Sequence, residues 1–253
     1  MPQPPLLETT DLSFGFGGDL VTDRVSLGIQ PGEFLSIIGP NGAGKTTYFN
    51  LLSGMYRPAS GRITFAGRDI TRMSAPGRAQ IGIARSFQVS NVFPLLTVDE
   101  NVRLAAQATG RHAFQLLRPY TAYGADIARA HAALEMVSLR RFAAVPAGLL
   151  SHGDKRKLEL AMAIVAEPRL ILLDEPTSGV SAEDVPAMVD LIRVMRQAGN
   201  TTVIMVEHKM AVVHELSDRV AVLHQGRLLA LGTPEQIQAN ETVQSAYLGT
   251  ETL

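Results

Sequence analysis

The stretch "FLSIIGPNGAGKTTYFNLLSG" leaves this chain few folds to choose from. An apolar run, Phe34 to Ile38, leads into G-x-x-x-x-G-K-T from Gly39 to Thr46. Helical spacing follows at Tyr48, Phe49, Leu51 and Leu52 and stops at Gly54. A buried strand, a glycine-bearing loop and a helix, in that order, turn backbone N–H groups and the positive end of a helix dipole toward one point. Anionic oxygens suit that point. Gly39, Pro40, Asn41, Gly42, Ala43, Gly44, Lys45, Thr46 and Thr47 are therefore the candidate phosphate cradle. Lys45 supplies a point charge to the outer phosphates, and the Thr46 hydroxyl is a candidate Mg²⁺ ligand.

A second element supports the first. In "RLILLDEP" an apolar strand ends in Asp174 and Glu175. A buried strand that delivers a carboxylate at its carboxyl end suits a hold on Mg²⁺, the role expected of Asp174. Glu175 is then placed to polarise an attacking water.

The rest of the chain reads as α/β. Short β-runs broken by glycine, "LLETTDLSF", "RVSLGI", "EFLSIIG" and "GRITFAG", fill the opening region. Three alanine-rich helical stretches follow, "TVDENVRLAAQAT", "GADIARAHAALEMVSL" and "SHGDKRKLELAMAIVAE", and then the strand–helix alternation resumes through "TTVIMVEH" and "RVAVLHQGRLLALG". Pro186 sits awkwardly in the intended helix "AEDVPAMVDLIRVMRQAG". The expected layout is one domain over residues 1–253. Its core and β subdomain take 1–90 and 166–232, an inserted helical subdomain takes 91–165, and a helical tail takes 233–253.

Bulk properties narrow the function. With 253 residues, 46% hydrophobic, a sizeable core is available, and a net charge of -1 offers no field for nucleic acid. The absence of cysteine excludes disulfides, thiol nucleophiles and thiolate metal sites. The start "MPQPPLLETTDLSF" lacks a basic segment followed by an apolar run, and no window reaches the roughly 18 apolar residues of a spanning helix. A soluble chain is expected, one able to sit against a membrane.

One stretch is not explained by the cradle. "LSHGDKRKLEL" starts with a capping box, Ser151 with Asp154, and exposes the N–H groups of a new helix together with a hydroxyl and Gly153. Within one chain the first loop already surrounds its phosphates. The second serves an anion only if a different chain brings it.

These residues in this order resemble the ATP-binding subunits of ABC transporters, over nearly the whole chain. "GPNGAGKTT" looks like their Walker A, "LILLDE" like Walker B, and "LSHGDKRKLELA" like the signature sequence. Gln88 in "ARSFQVS" resembles the Q-loop glutamine, which senses Mg²⁺ and water. His208 in "MVEHKM" resembles the switch histidine, and Phe16 in "FGFGG" the aromatic that stacks on adenine. The resemblance implies a P-loop NTPase core of ABC type with an N-terminal antiparallel β subdomain and an inserted helical subdomain. It also implies ATP with Mg²⁺, and two such subunits head to tail, so that Ser151 and Gly153 touch the triphosphate held by the partner. His152 and Asp154 replace the glycine and glutamine commonest in the signature, and Ser181 stands where many members have aspartate.

"IGIARSFQVSNVFPLLTVDENV" and the tail "GTPEQIQANETVQSAYLG" resemble the branch that powers bacterial import of branched-chain and other hydrophobic amino acids. Urea or amide import and lipopolysaccharide export are the rivals within transport. The implied partners are a second ATP-binding subunit, homologous or identical, two transmembrane permease subunits and, indirectly, a periplasmic substrate-binding protein. The implied location is the cytoplasmic face of the inner membrane. Apolar Val92, Phe93, Leu95 and Leu96 either line a groove that receives a cytoplasmic helix of a membrane subunit or pack the helical subdomain itself. A soluble ABC ATPase acting on nucleic acid, or a small-molecule kinase, is the alternative from another class. The first lacks its second cassette here, and the second leaves "LSHGDKRKLEL" idle.

Overall fold

The computed structural model describes residues 4–85, 92–109, 124–199 and 201–248. Two sheets share one helix between them. The first sheet is antiparallel, with order β2-β1-β4-β5. Its strands are β1 (Leu7–Phe16), β2 (Asp19–Ile29), β4 (Ser60–Phe65) and the short β5 (Arg68–Asp69). The second sheet comprises β3 (Phe34–Ile38), β6 (Ile83–Arg85), β7 (Leu170–Asp174), β8 (Thr202–Val206), β9 (Arg219–His224) and β10 (Arg227–Gly232). Its order is β10-β9-β3-β8-β7-β6; only β10 runs antiparallel, against β9.

The central strands are buried along their full length, as near-continuous apolar runs require when both faces are covered. Alternation sorts their side chains. Ile171 and Leu173, with Val203 and Met205, join one core, whereas Leu170, Leu172 and Ile204 join the other. The second of these cores is shared with α1 (Lys45–Ser53), whose Tyr48, Phe49 and Leu52 pack against Leu7, Leu12 and Ile63 of the antiparallel sheet. The Tyr48 hydroxyl meets Thr9 Oγ1 at 2.9 Å, which ties this helix to β1.

The first core is built from α3 (Val98–Thr109), α4 (Gly124–Met136), α5 (His152–Ile164) and α6 (Val185–Gly199) against the parallel sheet. Thr97 caps α3 reciprocally with Glu100: the Glu100 N–H donates to Thr97 Oγ1 at 3.2 Å, and the Thr97 N–H to Glu100 Oε2 at 2.8 Å. α6 begins at Val185, so Pro186 falls in its first turn, where a missing N–H costs no hydrogen bond. The residues just before it form a turn held by Ser181, whose hydroxyl donates to Asp184 Oδ2 at 2.7 Å. α7 (Met210–Leu216), α8 (Pro234–Gln238) and α9 (Glu241–Leu248) pack on β9 and β10 through Val213, Val220, Val222, Ile237 and Val243. "RVAVLHQGRLLALG", read above as one run, turns at Gln225–Gly226 into the β9–β10 hairpin.

α2 (Ala75–Gln80) carries Arg78, which is fully buried. Its guanidinium donates to the carbonyls of Leu51 and Leu52, each at 2.6 Å, and to Ile70 at 2.9 Å. Two of these carbonyls lie in the last turn of α1, so one cation satisfies the C-terminal end of the helix that follows the phosphate loop. Burial lowers the Arg78 pKa to about 10, which leaves it charged at neutrality.

Candidate active site

Strand order decides what meets. β8 lies between β3 and β7, and all three run parallel, so their carboxyl ends sit side by side. The glycine loop leaves β3, Asp174 and Glu175 end β7, and His208 follows β8. Ligands of open α/β sheets bind at such strand ends.

The loop conformation requires glycine at two places. Gly39 has φ 154, and a Cβ there would lie 2.1 Å from the Leu223 carbonyl oxygen. Gly44 has φ 93, and its Cβ would lie 2.4 Å from the Val21 carbonyl oxygen. The β9–β10 turn also grips the loop, since the Gly226 N–H donates to the Ala43 carbonyl at 3.1 Å. Lys45 donates from Nζ to the Gly39 carbonyl at 2.6 Å and to the Pro40 carbonyl at 3.0 Å. Burial depresses its pKa, and the Glu175 carboxylate opposes that shift.

The resulting cleft, of about 210 Å³, is walled by Val21, Asn41, Gly42, Ala43, Gly44, Lys45, Thr46, Thr47, Glu175 and His208. Glu175 Oε1 and His208 Nε2 stand 3.1 Å apart across it. Glu175 adopts φ 47, uncommon for a side chain of its kind, and its N–H donates to the Val206 carbonyl at 2.9 Å.

Asp174 is buried behind the cleft residues and does not itself wall the cleft. Arg85 Nη2 donates to its Oδ2 at 3.0 Å, while Arg85 Nη1 donates to Asn50 Oδ1 at 2.6 Å and Ser53 Oγ at 2.8 Å. One guanidinium thus joins α1, β6 and β7. Burial raises the Asp174 pKa and Arg85 pulls it back. Asp174 Oδ1 is buried and has no hydrogen-bond partner among the described residues. A lone carboxylate oxygen next to Glu175, with the exposed Thr46 hydroxyl on the cleft wall, is a donor set that fits Mg²⁺ or its bound water.

Not every expected residue joins this cleft. Phe16 is 54% exposed and sits edge-on to Phe14 and Tyr56, with ring centroids 5.0 and 5.8 Å away. It lies on the rim of the β1–β2 hairpin, and Val21 from the same hairpin forms the wall. Ser151 caps α5 and is exposed. Its hydroxyl donates to Asp154 Oδ2 at 2.8 Å and accepts the Asp154 N–H at 3.1 Å. A Cβ on Gly153 would meet nothing within 4 Å among the described residues. Neither Ser151 nor Gly153 walls the cleft of its own chain. His152, one of the departures in the signature, packs its ring on Gly179, where a Cβ would be 2.7 Å from Nε2. Gln88 lies outside the described residues.

Residues that the sequence reading passed over also serve the site. Val21 and the Gly226 turn shape the cradle, Arg85 neutralises Asp174, and Glu207 binds the turn that carries His208. The only sequence signals were "HQGR", a turn, and "ARSFQ" and "VEH", which place a charge beside a residue already singled out.

The chain matches two family models, "ABC transporter" over residues 22–178 and "Branched-chain amino acid ATP-binding cassette transporter" over residues 227–252. It is 40% identical over 250 residues to the high-affinity branched-chain amino acid transport ATP-binding protein LivG of Salmonella typhimurium, covering 97% of this chain and 98% of that one. Among solved structures it is similar to the ADP conformation of an ATP-binding cassette of an ABC transporter (TM-score 0.85, 26% identity, 98% of this chain and 100% of that chain). It is also similar to a dimeric post-hydrolysis cassette bound to ADP and Pi (TM-score 0.77, 25% identity, 90% and 98%). With cradle, strand-end carboxylates and full-length likeness in agreement, the chain belongs to the ABC transporter family, as an ATP-hydrolysing cassette subunit.

Proposed function

We propose that this chain powers a bacterial importer of branched-chain or other hydrophobic amino acids, bound peripherally to the cytoplasmic side of the membrane. The carrying observation is that likeness to LivG runs through both ends of the chain, the second family model covering residues 227–252 beyond the ATP-binding core. Permease subunits and a second ATP-binding subunit are its partners, and a periplasmic binding protein delivers substrate to the permeases.

In this reading Gly39 to Thr47 hold the phosphates of ATP, Lys45 meets the outer ones, and Phe16 stacks on the adenine. Thr46 and Asp174, with Gln88, hold Mg²⁺, which when bound neutralises charge gathering on the phosphates. Glu175 takes the proton of the attacking water, and His208 holds Glu175 and the outer phosphate in line. Ser151 and Gly153 complete the partner's pocket. Ser151 is exposed, neither residue walls its own cleft, and the likeness to a dimeric cassette supports this arrangement. ATP is then part of the interface, and its hydrolysis opens the pair.

Purification from native membranes tests the reading. The chain should travel with two membrane subunits and an ATPase partner, and ATP turnover in the reconstituted complex should rise with a binding protein loaded with leucine, isoleucine or valine. Stimulation by urea or short amides alone would overturn the substrate assignment, and a chain found without membrane subunits would overturn the assignment to transport.

A further inference from the structure

Glu207 is 3% exposed, although it is a carboxylate at a strand end. Three donors meet it. The Thr177 hydroxyl donates to Oε1, and the backbone N–H groups of His208 and Lys209 donate to Oε2 at 2.7 and 3.3 Å. Lys209 returns the contact, its Nζ donating to the Thr177 carbonyl at 3.2 Å. Thr177 belongs to the turn after β7 that begins with Glu175, and His208 and Lys209 form the turn after β8. These two turns carry the pair that faces the cleft at 3.1 Å.

We infer that Glu207 is a positioning residue: by clamping the turn after β8 to the turn after β7, it holds His208 on Glu175. A buried carboxylate must find donors, and here each donor belongs to a segment that bears, or adjoins, a residue of the site. One side chain that accepts from two turns fixes their separation, so the clamp sets a distance instead of merely filling space. Without it, His208 hangs from the end of β8 with its own N–H unpaired, and its 45% exposed side chain has little packing to hold it. Glu207 is buried and does not wall the cleft; it acts through His208. The inference rests on the proposed roles of Glu175 and His208.

The test measures kcat and KM for ATP in the transporter complex purified with the full chain. Glu207→Met keeps length and removes all three acceptances, and should lower kcat by about tenfold or more with KM within about twofold. Glu207→Gln should stay within about threefold of the parent. Its carbonyl can accept from His208 and Lys209, and its amide can donate to a Thr177 hydroxyl rotated to accept. Thr177→Val should fall in the direction of Glu207→Met, and Thr177→Ser, which restores the hydroxyl, should not. A folded Glu207→Met complex with parental kcat overturns the clamp. So does Glu207→Gln falling as far as Glu207→Met, which would indicate a charge effect. If Glu207→Met does not fold, the Thr177 pair decides, and equal kcat in Val and Ser variants overturns the clamp. His208→Ala is measured alongside. Parental turnover there takes down the site reading itself, whereas slow His208→Ala with fast Glu207→Met overturns the clamp alone.

Discussion

Lys45 turns its ammonium back on the loop that bears it, 2.6 Å from the Gly39 carbonyl oxygen. Folding depresses its pKa, chiefly through burial. The sign follows. An amine whose pKa falls on folding is protonated at neutral pH at a cost to the folded state, and that cost disappears only as pH rises through the unfolded value of about 10.4. The role proposed for Lys45 therefore opposes stability here. Lys45→Met should melt no lower than the parent at pH 7, yet gain nothing from nucleotide. The parent should gain about 2.7 kcal/mol at a hundredfold excess of ATP over Kd. Thermal melts with and without ATP check both halves, and equal nucleotide shifts in parent and variant would refute the role of Lys45.

Glu175 offers the complementary separation. Glutamine keeps the shape of the side chain and its hydrogen bond to His208, but cannot accept a proton from water. Glu175→Gln should retain the nucleotide-dependent melting shift while turnover falls by about 10² or more. ATP should then accumulate in a closed pair of cassettes, visible by size-exclusion chromatography of the complex or of the chain with its ATPase partner. Parental turnover in this variant would remove Glu175 from the chemistry.

Much of this geometry was legible because it is local. Glycine spacing between an apolar run and a helical stripe marks a strand–loop–helix whatever the rest of the chain does, and the structure shows why alanine would fail at Gly39: its Cβ would strike Leu223. Ser151 with Asp154 likewise declared a cap that the structure contains. Pro186 looked like a fault in a helix and is ordinary once the helix starts at Val185. What remained hidden depends on distant partners. Arg85 and Asp174 are 89 residues apart, and Thr177 and Glu207 are 30 apart, so no window of sequence contains either pair. A charged residue in a strand gives no sign of which strand will lie beside it. Val21 was passed over for the same reason: its carbonyl matters only because the first hairpin folds over a loop that starts 18 residues later.

The Arg85–Asp174 pair yields a prediction about stability. Arg85 is 12% and Asp174 1% exposed at the side chain, so removal of the cation strands a buried carboxylate. Arg85→Met should cost about 3–5 kcal/mol near neutrality. The pH dependence has a definite sign. With Arg85 gone, burial and the neighbouring Glu175 charge both raise the Asp174 pKa and only the weaker pull of Arg156 opposes them, so its folded pKa moves further above the unfolded value of about 3.9. The penalty is then absent below the unfolded pKa, grows as pH rises between the two values and is complete above the folded one. Urea denaturation at pH 5 and pH 8 should therefore show the larger loss at pH 8. An Asp174→Asn change in the same background should recover part of it. Equal losses at both pH values would show that Arg85 matters for packing and not for the charge of Asp174.

The proposed attachment to membrane subunits can be tested apart from nucleotide chemistry at the surface before α3. Phe93 is 53% and Leu95 92% exposed, and the nearby Leu149 is 77% exposed. The Gly148 N–H donates to the Pro94 carbonyl at 2.9 Å, so these two segments share one edge of the helical region. Large apolar side chains grouped on one edge suit the apolar face of a short helix. Because Leu95 packs on so little of its own chain, Leu95→Asp should change folding stability by no more than about 0.5 kcal/mol. Nucleotide-dependent melting should also stay at the parental value. At an interface, however, a buried charge without a partner is expensive, and loss of an anchoring apolar contact weakens binding by about 2 kcal/mol or more, roughly thirtyfold. The variant should therefore bind ATP as the parent does, dissociate from the membrane fraction, and support no uptake of leucine. Leu95→Met, which keeps an apolar tip, should behave as the parent. Uptake at the parental rate with aspartate at this position would place the docking surface elsewhere on the chain.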